Sequence, residues 1–119
     1  MSAQPTERPL TVTDFDRQAG NELAVSALLD YLPLPAAAMT PRPDAVHITV
    51  VSAHDLSHWM YDLGGRIVRD GGADGVTLWT LHTSTPERGD GSSVPIRVHA
   101  AVIDGEDVLA EVRPGGVRL

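Results

Sequence analysis

The chain has 119 residues, 42% of them hydrophobic, a formal net charge of -7 and no cysteine. This length is typical of one domain with its own core, and the lack of cysteine excludes disulfides, thiolate metal sites and a thiol nucleophile. The acidic balance disfavours nucleic acid as the main partner, and two Trp, two Tyr and one Phe are too few for a base-stacking surface.

We predict a single domain over residues 13–112. Residues 1–12 are polar and contain two prolines, which predicts a disordered lead-in. Residues 113–119 are rich in proline and glycine, which predicts a loose tail. The start of the chain lacks the apolar region of a signal peptide, and no apolar run approaches the roughly 18 residues of a membrane span. We therefore expect a cytoplasmic protein that does not bind membranes.

The first predicted element is a helix. Thr13 is placed to cap it, with Asp14 and Asp16 in the first turn, where the helix dipole favours anions. Its apolar stripe is clearest over residues 21–32, and Pro33 ends it.

A strand and a second helix are predicted next. Four prolines within residues 33–44 indicate a linker without regular structure. The β-rich run Ala45–Val51 predicts the first strand. Ser52 is suited to cap a helix over Ala53–Leu63, which Gly64 ends.

The remaining pattern predicts an antiparallel meander of three strands. They run over Arg66–Asp70, Val76–Ser84 and Val94–Ile103, and Val108–Val112 is compatible with a further edge strand. The predicted fold is α+β: an N-terminal helix, then β-α-β-β-β, with the helices packed on one face of the sheet.

One pair of histidines has the spacing of metal ligands. His54 and His58 are at i and i+4, so that both imidazoles can reach one ion, as in the zinc protease motif H-E-x-x-H. Asp55 stands in the position of the glutamate and is one methylene shorter, which disfavours a catalytic base there. Asp62, one turn further on, is a candidate third ligand. The alternative interpretation is a polar, solvated helix face.

The strands predict a partner-binding surface. Trp79 and Leu81 share one face of their strand, and an exposed pair of this kind would form a contact patch; the alternative is that the N-terminal helix covers that face. Arg97 and His99 lie opposite the apolar positions of the last predicted strand, and we predict that they join this surface. His47 begins a strand without an identifiable partner.

Three short segments carry a resemblance to known proteins: Leu63-Gly64-Gly65, Leu78-Trp79-Thr80 and Val94-Pro95-Ile96-Arg97-Val98-His99-Ala100. Over Trp59–Ile103 the chain resembles small proteins of unknown function that are common in streptomycetes and in related phages and integrated elements. The chain has nine arginines and no lysine, which agrees with a GC-rich source. The resemblance implies a source and a fold and supplies no catalytic residues.

No motif indicates a specific reaction, so we predict a non-enzymatic protein-interaction or regulatory accessory module without a cofactor. Its partner would be another protein or a second copy, and a strand edge at Ala45–Val51 or Val108–Val112 is available for pairing. Two alternatives stay open. One is a small metal-binding protein that uses His54 and His58. The other is an acidic DNA-mimic inhibitor, which would need a cluster on one face of residues such as Asp70, Asp74, Asp104, Glu106, Asp107 and Glu111.

Overall fold

The computed structural model describes residues 11–71 and 74–103, which form two helices and one five-stranded sheet. In chain order the elements are α1 Val12–Tyr31, β1 Ala38–Pro41, β2 Val46–Thr49, α2 Ala53–Leu63, β3 Arg66–Gly71, β4 Val76–Ser84 and β5 Pro95–Ile103. The α+β class predicted from the sequence is confirmed. No helix within these residues is long and apolar enough to cross a membrane.

The sheet is mixed, with the strand order β1-β2-β5-β4-β3. The predicted meander is confirmed, since β3 pairs antiparallel with β4 and β4 with β5. The strand predicted over Ala45–Val51 is β2, and it is not an edge: it pairs parallel with β5 and antiparallel with β1. The edges of the described sheet are β1 and β3, and Val108–Val112 lies outside the described residues.

Strand β1 lies in the segment that we predicted to be an irregular linker, and that prediction is wrong. Met39 pairs with Ile48 and Pro41 with Val46. Proline lacks the N–H group that an interior strand donates to its neighbours. An edge strand is hydrogen-bonded to a neighbour on one side only, so it tolerates proline. Pro41 is the last residue of such a strand, so its ring interrupts no second row of hydrogen bonds.

Helix α1 begins two residues earlier than predicted. Its cap is Thr11, not Thr13: the Asp14 amide donates to Thr11 Oγ1 at 3.1 Å, and the Thr11 amide donates to Asp14 Oδ2 at 3.0 Å. This reciprocal capping box requires an acceptor side chain three residues after the cap, which Asp14 provides for Thr11. The rest of the predicted lead-in, residues 1–10, and the tail, 113–119, lie outside the described residues.

Both helices pack on the same face of the sheet, as predicted. Val25 and Leu28 of α1 and Leu56 and Trp59 of α2 belong to one buried cluster with the inward side chains of the sheet. Those inward side chains come mainly from the three central strands: Val46, Ile48, Trp79, Leu81, Ile96, Val98, Ala100 and Val102. One face of the sheet is therefore core, and the other has neither helix packed on it.

Candidate functional site

The face of the sheet opposite the helices, which we name the open face, carries a row of basic side chains. The strand register places Thr40, His47, Arg97, His82 and Arg66 side by side across all five strands. The last four of these residues are named the basic row. The first three of its members are half-buried and Arg66 is exposed. A chain of net charge -7 thus presents neighbouring basic groups on one surface.

Strand alternation explains why these side chains point outward. Successive side chains of a strand lie on opposite faces, and in β5 Ile96 and Val98 are buried while Arg97 and His99 are only half-buried. The outward position predicted for Arg97 and His99 is therefore confirmed. His47 occupies the same kind of position between Val46 and Ile48 of β2, both of which are fully buried.

His47 and His99 form a direct hydrogen bond across the β2–β5 pair. Nδ1 of His47 lies 2.9 Å from Nε2 of His99, the ring planes differ by 2° and the ring centroids are 5.2 Å apart. That centroid separation equals the N–N distance plus the two ring radii, so the rings are coplanar and meet end to end rather than face to face. A metal ion midway would be far closer to both nitrogens than the about 2.0–2.1 Å of a Zn–N bond, so a proton joins the two rings.

This hydrogen bond extends into a chain through Thr80. Oγ1 of Thr80 is 3.0 Å from Nδ1 of His99, so both nitrogens of His99 are engaged, one by a hydroxyl and one by His47. Because one proton fills the gap between the two imidazoles, protonating the facing nitrogens of both rings would set N–H against N–H.

Burial and neighbouring basic groups lower the pKa of two histidines on this face. The pKa of His99 is lowered, first by burial and then by His47, His82 and Arg97. The pKa of His82 is lowered, first by burial and then by Arg97 and Arg66. The neighbouring groups that act on both imidazoles are all basic, so an anion placed over them would relieve this repulsion.

The hydrogen-bonded chain Thr80–His99–His47 also resembles a catalytic triad, in which a hydroxyl nucleophile contacts a base and a third group orients that base. Acyl transfer would further need free N–H donors that converge on the developing oxyanion. Thr80 lies in the middle of β4, where the strand pairs with β3 on one side and β5 on the other, so these ladders use the main-chain N–H groups around it. The arrangement is better suited to binding than to acyl transfer.

Trp79 and Leu81 do not belong to the open face. They are 5% and 0% exposed, and they pair with Ala100 and Val98 on the core side of β5. The exposed contact patch predicted for them is wrong, because this face of β4 is part of the core. The helix that packs on β4 is α2, whereas the N-terminal helix named in the alternative, α1, packs on β1 and β2. The guanidinium carbon of Arg69 lies 5.3 Å from the Trp79 ring centre and closes the β3 side of the core.

The structure brings His54 and His58 together at the start of α2. Their Nε2 atoms are 3.2 Å apart on an exposed surface, with the rings at 89°. Two ligands of one tetrahedral zinc ion are separated by about 3.3–3.4 Å, given Zn–N bonds of about 2.0–2.1 Å. Asp62 is exposed one turn beyond His58, and no three His, Cys, Asp or Glu side chains in the described part of the chain are grouped to hold a metal.

Helix α1 also exposes apolar side chains outside its predicted stripe. At about 3.6 residues per turn, most of them fall on the side opposite Val25, and Asp16 and Asp30 lie on that same side. The polar residues divide the apolar surface into separate parts. The exposed fractions are 77% for Val12, 56% for Phe15, 72% for Leu23 and 83% for Tyr31.

The acidic cluster that a DNA mimic would need falls largely outside the described residues. Two of its members are described. Asp70 lies on the same face of β3 as Arg66, and Asp74 lies in the turn before β4. The members outside the described part of the chain are Asp104, Glu106, Asp107 and Glu111.

No protein-family model matches this sequence, and no curated protein is significantly similar to it. The resemblance to small streptomycete and phage proteins therefore stays a prediction.

Proposed function

We propose that this domain is a non-enzymatic interaction module that binds another protein on the open face of its sheet. The observation that supports this function is the basic row, four basic side chains on four adjacent strands of an acidic chain. Of the residues predicted to bind a partner, Arg97 and His99 lie on this face.

Charge separation within the domain favours an acidic protein partner. Arg97 and Arg66, the two arginines of the basic row, orient an approaching acidic surface toward the open face, and the acidic remainder of the chain repels it elsewhere. A long nucleic acid would extend beyond the row and meet the negative remainder of the domain. The described part of the open face also has no Phe, Tyr or Trp on which bases would stack.

The exposed side of α1 is the competing protein-binding surface. Its apolar residues are interrupted by Asp16 and Asp30 at the same angular positions, whereas the members of the basic row are direct neighbours in register. The open face therefore offers the more continuous binding surface of the two. Variants on each surface are needed to tell which one binds the partner.

We expect Arg66→Glu to abolish capture of the partner, because it places an acidic group in the exposed end of the basic row. The measurement is quantitative affinity capture from a streptomycete lysate, the source that the resemblance predicts, with bound proteins identified by mass spectrometry. Arg17→Glu is the matched control, since it makes the same change in net charge at an exposed position of α1.

Leu23→Gln on the outer side of α1 completes the comparison. A partner retained by Arg17→Glu and Leu23→Gln but lost with Arg66→Glu supports the proposal. A partner that depends on Leu23, or one captured equally by all variants, contradicts it, as does the capture of no stoichiometric partner.

A second candidate function, metal binding at His54 and His58, is favoured by the 3.2 Å separation of their Nε2 atoms. We expect one Zn²⁺ per chain to bind at this pair, with water or another molecule at the remaining positions. Calorimetric titration of metal-free protein with Zn²⁺ measures this. His58→Gln should remove the binding and His82→Gln should retain it; the absence of any heat, or binding unaffected by His58→Gln, would exclude this candidate.

A further inference from the structure

The basic row has a definite length and direction. Its members lie on adjacent strands, which are spaced by about 4.8 Å, so the row from His47 on β2 to Arg66 on β3 spans three intervals, roughly 14 Å. The row crosses the strands at right angles to their direction. A ligand that contacts all four groups must therefore lie across the sheet and not along an edge.

An extended peptide has a matching repeat. Every second side chain lies on the same side of an extended backbone, at intervals of about 6.6–6.8 Å, so three alternate residues span roughly 13 Å. Carboxylates at these three positions would cover the length of the row, whereas three consecutive carboxylates would point to alternating sides.

We propose that the basic row binds an extended acidic segment of the partner, with carboxylates on alternate residues and its backbone laid across β2, β5, β4 and β3. This inference depends on the proposed function and specifies the chemistry of the partner. The occupant is a peptide and not a single small anion, because the four basic groups stand in a line rather than around one point.

Binding should be linked to the uptake of protons. The groups on the open face around His99 and His82 are His47 of β2, Arg97 of β5, and Arg66 and Asp70 of β3, while β1 presents Ala38 and Thr40. Burial and the basic neighbours lower the pKa of both His99 and His82 in the free domain.

A bound carboxylate raises these pKa values, because it stabilises the imidazolium form. Between the free and the bound pKa the complex carries more protons than the free domain, so the affinity rises as the pH falls through this window. The lower end of this window is the pKa of the free domain, which lies below the ordinary histidine pKa of about 6.5.

The test uses two synthetic peptides of identical composition, one with three Asp alternating with Ser and one with three consecutive Asp. Isothermal titration with the full chain is expected to show tighter binding of the alternating peptide. Arg66→Gln should weaken that binding roughly two- to fivefold, the range for one exposed ion pair, and the control Arg17→Gln should leave it unchanged.

Proton uptake is measured from the dependence of the binding heat on the ionisation enthalpy of the buffer. We expect uptake at pH 6.5, tighter binding at pH 6 than at pH 8, and a smaller pH dependence for His99→Gln.

Several results would overturn the inference. Equal affinity for the two peptides would contradict the alternating spacing, and affinity that falls with acidification would contradict the proton linkage. Tighter binding of a short single-stranded DNA with the same number of charges would indicate a nucleic-acid site. If neither peptide binds and Arg66→Glu still loses the captured protein, the acidic-peptide inference fails and the proposed function stands.

Discussion

Replacing Trp59 by alanine is expected to lower the free energy of unfolding by about 3–5 kcal/mol. The side chain is 0% exposed, so the substitution removes its burial and leaves a cavity between α2 and the sheet. It also removes the hydrogen bond that Nε1 donates to the Pro35 carbonyl oxygen at 2.7 Å. That bond connects α2 to the segment that leads into β1. Urea denaturation, monitored by circular dichroism, measures the difference in the free energy of unfolding between this variant and the wild type.

Two further variants separate burial from the hydrogen bond. Trp59→Phe keeps most of the apolar contact and leaves the Pro35 carbonyl without this donor, so a loss of about 1–3 kcal/mol is expected. Tyr61→Ala on the same helix removes an aromatic side chain that is 87% exposed and should stay within about 0.5 kcal/mol of the wild type. A Trp59→Ala variant as stable as Tyr61→Ala would contradict the packing described for α2.

Elements defined by local chemistry were predictable from the sequence. The bounds of α2 follow from Ser52, whose Oγ accepts the Asp55 amide, and from Gly64, whose φ is +76°. The meander follows from alternation in β4 and β5. In each case the residues that determine the structure lie within a few positions of one another, so the pattern contains the necessary information.

Contacts between distant segments were not predictable in the same way. His47 and His99 are 52 positions apart, and they meet only because β2 inserts beside β5 in the parallel direction. No local pattern specifies that choice, so His47 had no identifiable partner. His47 stands between the apolar residues Val46 and Ile48, as His99 stands between Val98 and Ala100, and this alternation was the available signal that both histidines lie on the outward side of a strand.

The error at Trp79 and Leu81 has a different origin, the register of β4 against β5. Alternation correctly placed these two residues on one face of β4, but a shift of register by one residue exchanges the faces of a strand. The connection between β4 and β5 is too long to define the register by its turn type. Pairing of Leu81 with Val98 places it in the core, and the side chains of β4 on the open face include Leu78, Thr80 and His82.

Gly65→Ala is expected to destabilise the domain by about 2–6 kcal/mol, the sum of backbone strain and overpacking. Gly65 has a φ of +110°, and an added Cβ would collide with the His82 carbonyl oxygen and lie 3.0 Å from Cβ of Thr83. Both atoms belong to β4, which pairs with strands on both sides and so has little freedom to move away. Chemical denaturation measures the loss of stability, and peptide titration measures any displacement of His82.

Gly64→Ala is the matched control, because the two glycines are adjacent and both have positive φ. Gly64 has a φ of +76°, and its added Cβ would meet nothing within 4 Å. This variant should therefore lose only the strain energy, about 1–3 kcal/mol, and keep His82 in place. If Gly65→Ala were no less stable than Gly64→Ala, the close approach of the α2–β3 connection to β4 would be contradicted. If Gly65→Ala were the less stable of the two and also bound the acidic peptide more weakly, this contact would help to hold His82 in the basic row.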